Sequence, residues 1–175
     1  VKSVGIGGTL TGSRADLIIG DDCEVPNNSL TEGQREKLHN RMMEFESILK
    51  PGGEVVLLGT PQCFDTVYNK FAENGYKMKI FPARYVADSK AESYRGMLSE
   101  ELKEAVKEDP ELVGRPTDLE RFTEEELIRR EAAYSTSNYL LQFMLDTSQA
   151  DAERYPLKLR DLSIMPLDDP KEGPT

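Results

Sequence analysis

Apolar residues fall along this chain in short runs, separated by charged and turn-forming stretches. Leu17-Ile18-Ile19-Gly20 is one such run. Its length and lack of polar alternation predict a strand buried on both faces. Leu38, Met42, Phe45, Ile48 and Leu49 recur at helical spacing and predict a helix over 29–50. Ser29 and Glu32 have capping-box spacing at its start, and Pro51-Gly52-Gly53 stops it. Met42 and Met43 both read as core. Residues 54–59, Glu-Val-Val-Leu-Leu-Gly, predict a second buried strand. Residues 65–74 predict a shorter helix carrying Val67, Tyr68 and Phe71, and 76–81 a third strand closed by Pro82. Strand, helix, strand, helix, strand is the pattern of a parallel sheet with helical crossovers, an α/β fold. The interval from 22 to 55 is long enough for such a crossover.

Beyond Arg84 the pattern changes. Residues 88–109 are charged and helix-prone, with a thin apolar stripe of Met97, Leu98, Leu102 and Val106. Pro110 and Pro116 interrupt the chain. Thr123 and Glu126 form a second capping box, opening a helix through about Ala133. The dense apolar segment 138–145 reads as helix, 146–161 as polar and irregular, and the proline- and acid-rich end, 166–175, as a linker or frayed tail. Near the start, Gly5, Gly7 and Gly8 read as a turn or bulge after a short strand. The Lys that a phosphate-cradling loop requires is missing from that position.

Composition narrows the function classes. The chain has 175 residues, enough for one domain with a real core, and no stretch approaches a membrane span. Its 32 acids against 22 bases give a net charge of −10, which repels phosphate backbones on average. Any grip on nucleic acid then belongs to a local patch or to other parts of a larger assembly. Cys23 and Cys63 are the only cysteines, with neither metal spacing nor a disulfide framework, and read as reduced thiols of a cytoplasmic protein. The chain opens Val-Lys-Ser-Val, without an initiator Met or a secretory pattern, and we expect it to be part of something longer.

The chemistry concentrates where the first strand ends. Leu17-Ile18-Ile19-Gly20-Asp21-Asp22-Cys23-Glu24 places three acids within four positions at the tip of a buried strand. Such a tip calls for a cation or a water to be activated, and the carboxyl ends of parallel strands are where α/β folds bind ligands. An apolar strand ending in two acids is the second half of an ATPase site. Asp21 would hold Mg²⁺, and Asp22 or Glu24 would deprotonate the attacking water. The other reading is a helix cap or loop salt bridges. Gly59-Thr60-Pro61-Gln62 leaves the neighbouring strand on the same edge, where a hydroxyl and a carboxamide can sense a γ-phosphate; alternatively Thr60 caps the next helix. Arg14 is a candidate arginine finger, in cis or from a neighbouring subunit, or the partner of Asp16. His39 has no ligand set around it and reads as structural or solvated. No Ser/His/Asp or Cys/His constellation can be assembled.

The run Thr11-Gly12-Ser13-Arg14-Ala15-Asp16 through Asp22 resembles the second ATPase motif (Walker B) of phage large terminase subunits, of the DNA maturase B type of short-tailed phages. Ile48-Leu49-Lys50-Pro51, Leu58-Gly59-Thr60-Pro61-Gln62, Pro82-Ala83-Arg84-Tyr85, Leu141-Gln142-Phe143-Met144-Leu145 and 155–161 fit the same family in order, over roughly 8–165. The resemblance implies a partial P-loop NTPase sheet of the ASCE type over 1–87, a small mostly helical subdomain over 88–161, and a linker or tail over 162–175. It further implies part of an ATP-hydrolysing viral DNA-packaging motor in the host cytoplasm. ATP and Mg²⁺ are its cofactors. Double-stranded DNA, a portal protein, a small terminase subunit and a homo-oligomeric ring are its partners. By carry-over Asp21 is the metal acid, Asp22 or Glu24 the catalytic acid, and Gly59, Thr60 and Gln62 the coupling motif at the nucleotide. The phosphate-binding loop and the nuclease acids of the family are absent from these residues, and Asp168-Asp169 is no substitute. The segment alone is therefore expected to turn over little or no ATP. Two rivals stand beside this reading: another P-loop motor such as a helicase-like ATPase, and a non-catalytic assembly or regulatory subunit.

Overall fold

The structure, a computed structural model, describes residues 1–8 and 12–150. The expectations for 155–161 and for the 162–175 tail lie outside the described residues. The sheet is formed by β1 (Ala15–Asp21) and β2 (Leu49–Leu58), which run parallel. Between them lie a single turn of helix, α1 (Pro26–Ser29), and the long helix α2 (Glu32–Ile48). Leu17 pairs with Glu54 and Asp21 with Leu58, so the two strands end together on one edge, as the sequence implied.

One face of this sheet is packed. Ile18, Val55 and Leu57 lie against Leu38, Met42 and Phe45 of α2 and against Val67, Tyr68 and Phe71 of α3 (Val67–Glu73). The opposite face is open: Leu17, Ile19, Val56 and Leu58 are 40 to 60% exposed. The expectation of strands buried on both faces is thus corrected, because the described residues place helices on one side only.

Other boundaries shift for local reasons. Two overlapping capping frames compete at the start of α2. Thr31 and Gln34 win, each bonding the other's backbone N–H. Ser29 instead turns inward and donates to the Val25 carbonyl at 2.8 Å. The helix ends at Ile48, before Pro51-Gly52-Gly53, which form a bulge inside β2 as the register jumps from Ala15–Leu49 to Leu17–Glu54. Met42 is buried but Met43 is 38% exposed. Neighbouring helix positions point about 100° apart, so the pair cannot share one core.

The expected third strand is not part of the sheet. Ile80 donates to Met97 O at 2.8 Å and accepts from Ser99 N at 3.0 Å, a single bridge to Leu98. Those bonds satisfy its backbone, and a groove of about 510 Å³ separates 76–80 from β2. Residues 1–8 hold the expected turn, with Gly8 N donating to Gly5 O at 2.7 Å, but no strand before it.

The single charged helix expected over 88–109 is broken. A 3₁₀ stretch (Asp88–Tyr94) ends at Arg95 and Gly96, both at positive φ, and α4 (Glu100–Glu108) follows. Helices α5 (Glu124–Ala133), with the Thr123 hydroxyl accepting from Glu126 N, and α6 (Thr136–Gln142) follow, and a 3₁₀ turn (Thr147–Gln149) comes last among the described residues. Arg84 ties this region together through Gly114 O, Glu124 and the Tyr139 hydroxyl. Among the described residues no helix is long and apolar enough to cross a membrane.

Candidate functional site

The site is built on the paired strand exits. Asp21 is the last residue of β1, and its neighbour Asp22 donates its backbone N–H to Leu58 O at 3.0 Å. Both carboxylates are exposed at the tip. Asp22 has φ 45°, in the left-handed region, where Asp and Asn are the most tolerant side chains after Gly. That twist turns the chain back, and the next two residues, Cys23 and Glu24, are both buried. Asn28 holds the return by donating to Cys23 O at 2.9 Å and accepting from Val25 N at 2.9 Å.

Glu24 is 1% exposed, and both of its oxygens are taken. Gln62 N donates to Oε1 at 2.7 Å; Thr66 Oγ1 and Val67 N donate to Oε2 at 2.8 and 2.6 Å. Burial pushes its carboxyl above the usual range, against the pull of the Val67, Gln62 and Thr66 donors and of Arg35. Arg35 itself donates to Ser29 O and pairs with Asp65 at 3.5 Å.

The loop after β2 is held from two sides. Gln62 turns its amide back on Thr60 O at 3.0 Å while its backbone is tied to Glu24. At Gly59 a Cβ would lie 1.9 Å from Tyr68 Oη, so the buried tyrosine requires a residue without a side chain there. Burial also raises the Tyr68 hydroxyl far above the ordinary tyrosine value. Thr60 does not cap a helix, and the helix that follows begins only at Val67.

The structure therefore brings together Asp21, Asp22, Gly59, Thr60 and Gln62 at one edge, with Glu24 sealed beneath them. Arg14 is elsewhere. It precedes β1, is exposed, and donates to Ser13 O. Seven residues of strand, at about 3.3 Å each, put it about 23 Å from Asp21. Asp16 pairs with Lys50 at 2.9 Å rather than with Arg14. His39 stacks near Phe71 with ring centroids 5.1 Å apart, a packing role.

Sequence reasoning missed Thr66 and Arg35. The sign available for Thr66 was its place before a helix. Thr66 does occupy the N-cap, yet its hydroxyl serves Glu24, and the Glu24 carboxylate caps the helix in its stead.

Among the described residues no three His, Cys, Asp or Glu side chains gather into a metal cage. Magnesium does not need one: it binds through one or two carboxylates and completes its shell with water and phosphate oxygens. The exposed Asp21 and Asp22 fit that donor set.

No family model matches the chain. Sequence comparison aligns it at 47% identity over 173 aligned positions, covering 96% of the chain, with the "Terminase, large subunit" of Enterobacteria phage T3. The chain spans 30% of that curated relative.

Proposed function

We propose that this chain, a homologue of part of a phage terminase large subunit, supplies the acid tip and the coupling loop of an ATP-driven DNA-packaging motor. The observation that carries the reading is the shared edge: exposed Asp21 and Asp22 stand directly beside the exit of β2, from which Gly59-Thr60-Pro61-Gln62 departs. Asp21 would hold magnesium, which when bound neutralises charge on a transferring phosphoryl group. Asp22 accepts the proton of the attacking water, since Glu24 has no unoccupied oxygen to offer one. Thr60 and Gln62 face the nucleotide and relay its state. Arg14, at the far end of β1, serves a neighbouring subunit's site in a ring rather than its own. The open face of Leu17, Ile19, Val56 and Leu58 is where further helices of a complete ASCE-type domain would pack. With a net charge of −10, this segment leaves the grip on duplex DNA to other parts of the assembly, as it does contacts to portal and small subunit.

The test is made in the complete large subunit. Asp22→Asn is expected to lower ATP turnover about 100-fold, the usual worth of a general base, with nucleotide binding retained. Asp21→Asn is expected to raise the magnesium requirement. If neither substitution lowers turnover tenfold, the site lies elsewhere.

A further inference from the structure

We propose that Glu24 is a positioning residue: its carboxylate is the strut that fixes the coupling loop to the acid tip, so that movement of one is felt by the other. This rests on the functional reading above and assigns Glu24 a part in it other than chemistry.

Glu24 lies two residues beyond Asp22 in sequence, yet every donor it meets comes from 62–67, after the other strand. The two oxygens do different jobs. Oε2 takes Thr66 Oγ1 and Val67 N, and so caps α3. Oε1 takes only Gln62 N, and so holds the loop. A buried carboxylate is costly, and capping one short helix does not require it: the Thr66 hydroxyl is already at the N-cap and is turned away from that task. What the carboxylate adds is the second oxygen. Its bond to Gln62 N spans 38 residues of sequence and fixes the backbone of the residue whose side chain bonds Thr60 O. Any shift of Thr60–Gln62 that follows a change at the nucleotide must stretch that bond or pull on the Asp21–Glu24 turn.

The amide isostere separates the two jobs. In Glu24→Gln the single carbonyl oxygen is best used where two donors converge, at Thr66 and Val67. The NH₂ then faces Gln62 N–H, donor against donor, and the strut is broken while the cap stays. Thr66→Val does the reverse: it removes one cap donor and leaves the Gln62 bond intact.

The experiment uses the complete large subunit with procapsids. It measures ATP turnover per nucleotide-binding site, KM for ATP, the pH–rate profile, and base pairs packaged per ATP. Glu24→Gln is expected to lower the packaging ratio about tenfold, the size of one charge-assisted hydrogen bond, with KM unchanged and the acidic limb of the profile kept. Thr66→Val is expected to leave the packaging ratio at the parent value. Simple loss of folded protein would lower the number of sites and not the ratio. An unchanged ratio in Glu24→Gln, with Asp22→Asn inactive, overturns the strut and leaves the site reading standing. Loss of the acidic limb in Glu24→Gln also overturns it, by making Glu24 the base. Full turnover in both Asp21→Asn and Asp22→Asn sinks the site reading itself, and the strut with it.

Discussion

Gly59→Ala is a one-methyl change with a severe expected effect. The added Cβ would stand 1.9 Å from Tyr68 Oη and 2.7 Å from its Cζ, far inside van der Waals contact. Tyr68 is 7% exposed and packs with Val67 and Phe71, so the ring cannot swing away without opening the core. The Tyr68 hydroxyl reaches Leu58 O only at 3.5 Å, and little is lost with that bond. The cost is therefore overpacking, about 1–3 kcal/mol, and the depth of the overlap favours the upper half of that range. At about 2–4 °C per kcal/mol for a domain of this size, the melting transition should fall by roughly 4–12 °C. Differential scanning calorimetry of the complete protein gives the number. Tyr68→Phe in the same background removes the atom at 1.9 Å but leaves the one at 2.7 Å, so it should recover part of the loss and not all of it. A Gly59→Ala protein that melts within a degree of the parent would refute the steric argument. So would a drop that Tyr68→Phe leaves untouched.

Four further outcomes are expected. Met42→Ala should cost about 2–5 kcal/mol in urea unfolding while Met43→Ala stays within about 0.5, and equal effects would mean that the face of α2 is misassigned. Thr31→Ala should cost about 1 kcal/mol through the lost cap of α2, and Glu32→Ala much less; the reverse order would restore the Ser29–Glu32 frame. Arg84→Ala strips the bonds to Gly114 O, Glu124 and Tyr139 and should cost about 2–3 kcal/mol, with Arg84→Lys recovering little because lysine lacks the fork; full recovery by lysine would show that charge alone matters. Burial and Glu46 raise the Tyr76 hydroxyl from about 10 to about 12. The folded state then holds that proton more tightly than the unfolded chain, so stability is whole below pH 10 and declines as pH rises toward 12. Tyr76→Phe should flatten that decline in thermal melts, and an unchanged slope between pH 10 and 12 would count against it.

The β1–α2–β2 unit was legible because each element carries its own period: the unbroken Leu17–Gly20 run, the Leu38–Ile48 stripe, the second apolar run. Parallel pairing then placed Asp21 and Thr60 on one edge without further information. What could not be read was set by contacts between distant residues. Glu24 looked like its neighbours Asp21 and Asp22 until the backbone turn sent it inward to Gln62 and Thr66. Residues 76–81 have the composition of a strand, but pairing depends on a partner, and theirs is a single bridge to Leu98. The helix start held two overlapping capping frames, and only packing of Ser29 chose between them.

The left-handed backbone at Asp22 has a bearing on which sequences this site can explore. Phosphoryl-transfer sites commonly place the longer Glu after the metal acid, yet φ 45° admits Gly, Asn and Asp with ease and charges most other side chains about 1–3 kcal/mol. Of the residues at home there, Asp alone is an acid. Position 22 is thus chosen twice, once by charge and once by handedness, and the two criteria intersect in a single amino acid. A designer who lengthens the acid here must first rebuild the turn beneath it.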